Sequence, residues 1–175
     1  LLSSSQITID TAKGKDIHYF IKKLVNTNQI DSAEKLIPSY LKIYRSHLVT
    51  HQDSVQWGYS FGRVADAFRR NGFIKKALPY YEQAYLATKT IYGEDHVNVG
   101  KICYNLGLNY MSKGRTEDAI DFFEKTSEIF EKKLGKEHRY IGIIYNALGN
   151  SYGDLYQNEK ALAYYLKSLS IYKKL

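Results

Sequence analysis

The chain has 175 residues, with 25 lysines and arginines against 18 aspartates and glutamates, and a formal net charge of +7 at pH 7. Hydrophobic residues make up 44% of it, which is enough to build a core and argues against intrinsic disorder. A single cysteine excludes an internal disulfide framework and is typical of a reducing compartment, so we expect a cytoplasmic protein. No apolar run reaches the roughly 18–20 residues of a membrane-spanning helix, and we expect no membrane partner.

The basic residues are scattered over many segments and do not form one tail or stripe. A positive charge balance is compatible with nucleic acid, an anionic membrane or an acidic peptide as partner. Scattered charges are, however, typical of solvated helix faces. Nucleic-acid binding is therefore not the favoured interpretation, and it would require an affinity that falls steeply with salt.

The start of the chain predicts a lead-in followed by two helices. Residues 1–15 mix Ser, Thr, Gly and Lys with little periodicity, and we expect a linker or flexible segment there. Apolar residues at helical spacing predict a helix over 17–26, a turn at Thr27-Asn28 and a second helix from Asp31. Pro38 falls inside that second helix, where it removes a hydrogen bond, so it predicts a kink or a later helix start.

Residues 54–96 contain a second pair of helices. The pattern predicts a helix over 56–70, a turn at Asn71-Gly72 and a helix over about 74–91. Pro79 is expected in the first turn of the latter helix, or close to it, where its missing amide proton costs least.

Residues 97–138 show the same design and define its period. A step of 42 residues forward brings like residues into register, and a step of 42 back does so again, with aromatic residues exchanging for one another. The forward matches are Gly100, Ile102, Leu106, Gly107, Tyr110, Glu117, Ala119, Lys125 and Ile129 with Gly142, Ile144, Leu148, Gly149, Tyr152, Glu159, Ala161, Lys167 and Ile171. A fixed period of this length indicates a solenoid, because one amphipathic hairpin cannot bury both of its faces alone.

The fourth copy, 139–175, departs from the pattern at its turn. Tyr156 stands where the two preceding copies have Gly72 and Gly114, so we expect this bend to close differently, with the help of Asn158. The sequence therefore predicts an all-α solenoid of about four antiparallel helix hairpins. Its proposed divisions are a lead-in (1–15) and a repeat domain (16–175) with repeats at about 16–53, 54–96, 97–138 and 139–175.

The order of small and large residues within each copy resembles the tetratricopeptide repeat. The matching residues are Phe61, Val64, Ala65, Phe68, Ala77, Tyr81 and Ala84, then Cys103, Leu106, Gly107, Tyr110, Ala119, Phe123 and Thr126, then Tyr145, Leu148, Gly149, Tyr152, Ala161, Tyr165 and Ser168. The 42-residue period and the linkers IYGEDH and KLGKEH resemble the kinesin light chain type of this repeat. After the histidine, where that type usually has proline, this chain has Val97 and Arg139.

The resemblance implies a right-handed superhelix whose first helices line a concave groove that binds peptides. The groove-facing residues would be Tyr59, Arg63, Asp66, Arg70, Lys101, Asn105, Leu108, Asn146 and Asn150. Asparagine can pair with a peptide backbone through both donor and acceptor, and Arg and Lys can hold carboxylates. Because Arg63, Arg70 and Lys101 make one end basic, we expect a protein or peptide partner of acidic character.

Few residues suggest chemistry. His96 and His138 are one repeat apart and lack a second ligand at zinc spacing, so we expect packing or capping at helix junctions and no metal. Cys103 occupies a core position, and no glycine-rich phosphate loop is present. We therefore expect no catalytic residues and no cofactor.

These patterns favour a non-enzymatic interaction scaffold, as a module of a larger protein. The alternative is a ligand-gated regulator, because bacterial peptide receptors also use tetratricopeptide arrays. The last helix carries apolar residues without an evident polar cap, namely Leu162, Tyr165, Leu169 and Tyr172. Its outer face would then be covered by further repeats or by a second copy, which leaves self-association through this helix open.

Overall fold

The computed structural model describes residues 21, 23–46 and 51–175, with the backbone alone at 39–46 and 51–59. Residues 21 and 23–26 are helical, and no strand occurs in the described ranges. The helices that follow are α1 (Ile30–Ser46), α2 (His51–Arg70), α3 (Ile74–Tyr92), α4 (Val97–Ser112), α5 (Thr116–Leu134), α6 (Arg139–Asp154) and α7 (Asn158–Lys174). The lead-in 1–15 and part of the predicted helix 17–26 lie outside the described residues.

The helices pack as antiparallel hairpins in chain order. Helix α2 contacts α3, α4 contacts α5, and α6 contacts α7; in addition α3 contacts α4 and α5 contacts α6, which joins neighbouring hairpins. Each first helix from α4 onward is thus held between two second helices. This is the predicted all-α solenoid, and it confirms that the hairpins bury their apolar faces against one another.

Some predicted helix bounds were wrong. Helix α2 spans His51–Arg70 and so includes the five residues before the predicted start, three of which precede the proposed repeat boundary. Pro38 lies inside the unbroken α1, so the later helix start is excluded. Pro79 is the sixth residue of α3, in its second turn, where it removes the hydrogen bond to the carbonyl of Lys75.

The turn between α6 and α7 closes in the same way as the turn in the preceding repeat. The amide of Tyr156 donates to the carbonyl of Gly153, and that of Gln157 donates to Tyr152, both at 2.9 Å. One repeat earlier, Gly114 and the residue after it make the same two bonds at 3.0 Å. The prediction that this bend closes differently, through Asn158, was wrong.

Tyr156 replaces glycine at the cost of backbone strain. Its φ is 58°, in the left-handed region that Gly72 and Gly114 occupy with φ of 81° and 72°. Left-handed backbone costs a residue with a Cβ about 1–2 kcal/mol. The Tyr156 side chain is 89% exposed, so no clash with the core adds to that cost.

The core of the third repeat contains every residue that the pattern places there. Leu106, Tyr110 and Phe123 are buried, and Phe123 lies across the helix backbone at Gly107. A Cβ on Gly107 would lie 2.5 Å from the ring carbon Cε1 of Phe123. Glycine is therefore required here so that α4 can approach the ring of α5 closely.

The linkers between repeats position the first helices. His96 caps α4, since its Nδ1 accepts from the amide of Asn98 at 3.1 Å, and His138 caps α6 by accepting from Tyr140 at 3.2 Å. These bonds confirm the predicted capping role. The preceding acidic residue of the second linker, Glu137, pairs with Lys174 of α7 at 2.5 Å.

Candidate peptide-binding surface

The residues predicted to face a groove lie on α2, α4 and α6, which are the first helices of three consecutive repeats. Arg63, Arg70, Lys101 and Asn146 are exposed. Within the described part of the chain, none of these four side chains has a hydrogen bond or an ion pair. They are therefore available to a ligand without breaking an existing contact.

Asp66 and Asn150 already have partners inside their own hairpins. The hydroxyl of Tyr81 donates to Asp66 Oδ1 at 2.5 Å, and the hydroxyl of Tyr165 donates to Asn150 Oδ1 at 2.8 Å. Each acceptor precedes its tyrosine by 15 residues. Both residues therefore orient a ring of the second helix, and a ligand would have to share them.

The third repeat shows why this pairing is specific. Fifteen residues before Phe123, which has no hydroxyl, the chain has Leu108, which has no acceptor. Leu108 is half-buried and packs against the core. This exchange of a polar pair for an apolar pair occurs at a constant spacing in three repeats, so it is a signal that the sequence contains.

Arg69 extends the Asp66 pair into a cluster. Its Nε donates to the hydroxyl of Tyr81 at 3.0 Å, and its guanidinium lies 3.9 Å from Asp66 Oδ1. Burial raises the pKa of Tyr81, and the hydrogen bond to Asp66 raises it further. Because Arg69 offsets the charge of Asp66, the positive charges of Arg63 and Arg70 dominate this end of the surface.

Tyr104 belongs to the same surface and was not predicted. It is half-buried on α4, with its ring centroid 5.7 Å from that of Phe123. Burial raises the pKa of Tyr104, while Arg69 of the second repeat lowers it and Tyr172 of the fourth raises it. The signal was available, because Tyr104 precedes the predicted Asn146 by one period of 42 residues.

We define the first-helix surface by the candidates that remain. Asn105 is half-buried and has no hydrogen bond in the described part of the chain. The side chain of Tyr59 lies outside the described residues. The first-helix surface therefore consists of Arg63, Arg70, Lys101, Tyr104, Asn105 and Asn146, with three positive charges and two amides.

A concave region formed by α5 and the first linker carries the opposite charge to the first-helix surface. It is a cleft of about 520 Å³ lined by acidic residues of α5 and of the first linker, with Lys125 and Lys132 among them. Glu94 accepts from Lys125 at 2.5 Å and from Lys89 at 3.1 Å, and these bonds lower its pKa to about 2. The acidic groups that line the cleft are thus partly neutralised by lysines of the hairpins that form it.

The remaining candidates for chemistry have structural roles. Cys103 is fully buried, and burial raises the pKa of its thiol to about 12, which suppresses the reactive thiolate. No cluster of ligand residues that could hold a metal ion occurs among the residues that the structure describes. Over the same part of the chain, no helix is both long and apolar enough to cross a membrane.

Comparison with solved structures gives neighbours of the same fold at low identity. BtubC from P. vanneervenii matches with a TM-score of 0.75 and 20% identity, over 94% of this chain and 70% of that one. A kinesin light chain-like protein of Podosopora anserina, built of nearly identical TPR-like repeats, matches with a TM-score of 0.71 and 19% identity, over 94% and 77%. No curated protein matches the chain.

A third neighbour is larger than this chain. The apo form of RapI matches with a TM-score of 0.75 and 18% identity, over 97% of this chain but 45% of its own length. This chain therefore spans less than half of that protein.

The family is shown by its sequence model. The model for the tetratricopeptide repeat matches residues 58–132 and 101–174, two overlapping segments that together exceed half of the chain. The matched segments include the capped first helices, the glycine–aromatic contacts and the turns described above. The chain belongs to the tetratricopeptide repeat family, and its fold is similar to that of the kinesin light chain-like repeats of the Podosopora anserina protein.

Proposed function

We propose that this array is a non-enzymatic scaffold that binds a peptide segment of another protein along the first-helix surface, as a module of a larger protein. One observation carries the proposal. Arg63, Lys101 and Asn146, from three successive repeats, are exposed without a partner in the described part of the chain, whereas Asp66 and Asn150 are bound to tyrosines. Unpartnered polar groups on three successive first helices suit an extended ligand that contacts one repeat after another.

The charge of the surface favours an acidic ligand. Arg63, Arg70 and Lys101 contribute three positive charges, and the charge of Asp66, which lies on α2 with both arginines, is offset by Arg69. A guanidinium can hold a carboxylate through two parallel hydrogen bonds, and an asparagine can pair with a peptide unit. A ligand with carboxylates at one end and open backbone along its length would use both kinds of group.

The test is a charge reversal with a matched control. Two labelled peptides serve as probes, one alternating Glu with Leu and the other alternating Lys with Leu. Binding is measured by fluorescence anisotropy for the wild type and for the Arg63→Glu, Lys101→Glu double variant. The control is the Lys75→Glu, Lys133→Glu double variant, which makes the same change in net charge at exposed positions on the second helices.

We expect the wild type and the control to bind the acidic peptide. The Arg63→Glu, Lys101→Glu double variant (the groove variant) should lose at least about tenfold in affinity, which corresponds to about 1.4 kcal/mol. Circular dichroism should show that all three chains are folded. Equal binding by the groove variant and the control would refute the assignment of the site. Equal binding of the acidic and basic peptides would refute the preference for acidic ligands.

A ligand-gated regulator is the second candidate, and the similarity in fold to RapI is the observation that favours it. A scaffold holds its ligand without a change in the superhelix, whereas a regulator requires a ligand that prefers one of two shapes. Small-angle scattering with and without the bound peptide separates the two. An unchanged radius of gyration supports the scaffold, and a compaction supports the regulator.

A further inference from the structure

The outer side of α7 is an apolar surface that no other part of the described chain covers. Leu162, Leu166 and Leu169 are each about half exposed, and Tyr165 and Tyr172 flank them. One repeat earlier, α5 carries Ile120, Phe123 and Phe130 at the positions of Leu162, Tyr165 and Tyr172, and there all three are buried. The uncovered face is thus continuous in register with an interface that the chain already forms between α5 and α6.

The face differs from that interface at one position. Inside the array, Glu82 of α3 accepts from the hydroxyl of Tyr110 at 3.4 Å, and Glu124 of α5 accepts from the hydroxyl of Tyr152 at 3.2 Å. The donor belongs in both cases to the next first helix. The equivalent residue of α7 is Leu166, which cannot accept a hydrogen bond. The face therefore suits an apolar surface better than another first helix with a tyrosine at this position.

The arrangement of charges on α7 is complementary to itself. Glu159, Leu166 and Lys173 are spaced by seven residues and so lie along one edge of the apolar face. If two α7 helices cross antiparallel about Leu166, each Glu159 lies opposite Lys173 of the second copy. A parallel pair would instead set like charges against each other. Neither Glu159 nor Lys173 has an ion pair within the described residues.

We propose that two copies of this chain pair through α7, antiparallel and about a two-fold axis near Leu166. Such an interface is isologous and closes as a dimer, so it uses the same patch of both copies. The leucines form its centre, and two Glu159–Lys173 pairs form its ends. The proposal is independent of the peptide-binding function, because this face and the first-helix surface have no residue in common.

The test uses variants of α7 at Leu166, Glu159 and Lys173, and the first of them is taken from the equivalent position of the other repeats. Leu166→Glu places on α7 the residue that α3 and α5 carry at this position, so the hairpin is expected to fold as before. Glu159→Lys and Lys173→Glu each set like charges opposite each other in the dimer, and the double variant exchanges the charges and restores their complementarity. Circular dichroism and thermal unfolding verify that each variant is folded.

Sedimentation velocity from about 5 to about 200 µM chain tests the proposal, because a dimer forms by mass action. We expect the wild type and the double charge exchange to dimerise, Leu166→Glu to remain monomeric, and each single charge reversal to weaken dimerisation at least about threefold. A monomeric wild type at the highest concentration would overturn the proposal, as would association that survives Leu166→Glu, species larger than a dimer, or a double exchange no better than its single variants.

Discussion

The third and fourth repeats have nearly the same pattern of residue types but differ in what covers them. Phe123 of the third repeat is fully buried, while Tyr165 at the equivalent position of the fourth is 37% exposed. Ile120 is 7% exposed and its equivalent Leu162 is 59% exposed. The difference arises because the following helix, α6, packs on α5, whereas no following helix in the described chain packs on α7. In a stack of hairpins, burial is thus decided by the neighbouring repeat as well as by the residue.

The largest expected difference between the two repeats is the cost of removing the equivalent ring. Phe123→Ala should lower the free energy of unfolding by about 3–5 kcal/mol, because it leaves a cavity inside the stack. Tyr165→Ala should cost about 1–2 kcal/mol, because much of its ring is already in water. Urea unfolding followed by circular dichroism, in the Leu166→Glu background, gives both values. Equal losses would mean that neighbours do not decide the burial energy.

A smaller difference in stability is expected when the equivalent glycines of the two repeats, Gly107 and Gly149, are replaced by alanine. Gly107→Ala should destabilise by about 1–3 kcal/mol, since its Cβ would meet the fixed ring of Phe123 at 2.5 Å. In Gly149→Ala, the new Cβ would lie 2.6 Å from Cε1 of Tyr165, but the ring of Tyr165 borders solvent and can tilt away. The gain in helix propensity, about 1 kcal/mol, should then make Gly149→Ala almost neutral. Thermal unfolding of the two variants provides the test, and a larger loss at Gly149 would contradict it.

The two turns should respond to substitution in opposite directions. Tyr156→Gly should stabilise the chain by about 1 kcal/mol, because glycine takes a φ near 60° without strain. Gly114→Ala should destabilise it by a similar amount, since it introduces the strain that Tyr156 now bears. Differential scanning calorimetry would show a higher Tm for the first variant and a lower one for the second. A lower Tm for Tyr156→Gly would mean that the tyrosine makes a stabilising contact.

The smallest expected effect is the pH dependence from Glu94, whose counterpart in the second linker is Lys136. Its pKa is about 2 in the folded chain and 4.5 ordinarily, so its contribution is complete above 4.5 and is lost as the pH falls towards 2. The wild type should lose more stability over this interval than Glu94→Gln. Because the pair is exposed, about 0.5 M salt should reduce the difference between them. Parallel acid-unfolding curves of the two chains would contradict this role.

The 42-residue register predicted the hairpins, the buried rings of the third repeat and the capping histidines. These features depend on contacts that recur in each copy. The turn at Tyr156 was mispredicted because the preference for glycine was treated as a requirement, whereas an exposed side chain tolerates the strain. The start of α2 was predicted at residue 56, whereas the helix already includes residues 51–55.

The surface was harder to predict than the core for a physical reason. Whether Asp66 and Asn150 are free depends on hydroxyls 15 residues away on another helix, and no local pattern on α2 or α6 contains that information. The three-repeat comparison does contain it, as the Leu108–Phe123 pair shows. Tyr104 was missed because it follows a core position and its partial burial depends on how the hairpins stack.

Hydrogen–deuterium exchange compares the two repeats most directly. In the Leu166→Glu chain, we expect amides of residues 119–130 in α5 to exchange at least about tenfold more slowly than those of residues 161–172 in α7, because of these two helices only α5 is covered by a following helix in the described chain. Equal protection of the two segments would contradict the claim that neighbouring repeats determine which parts of this chain are stable.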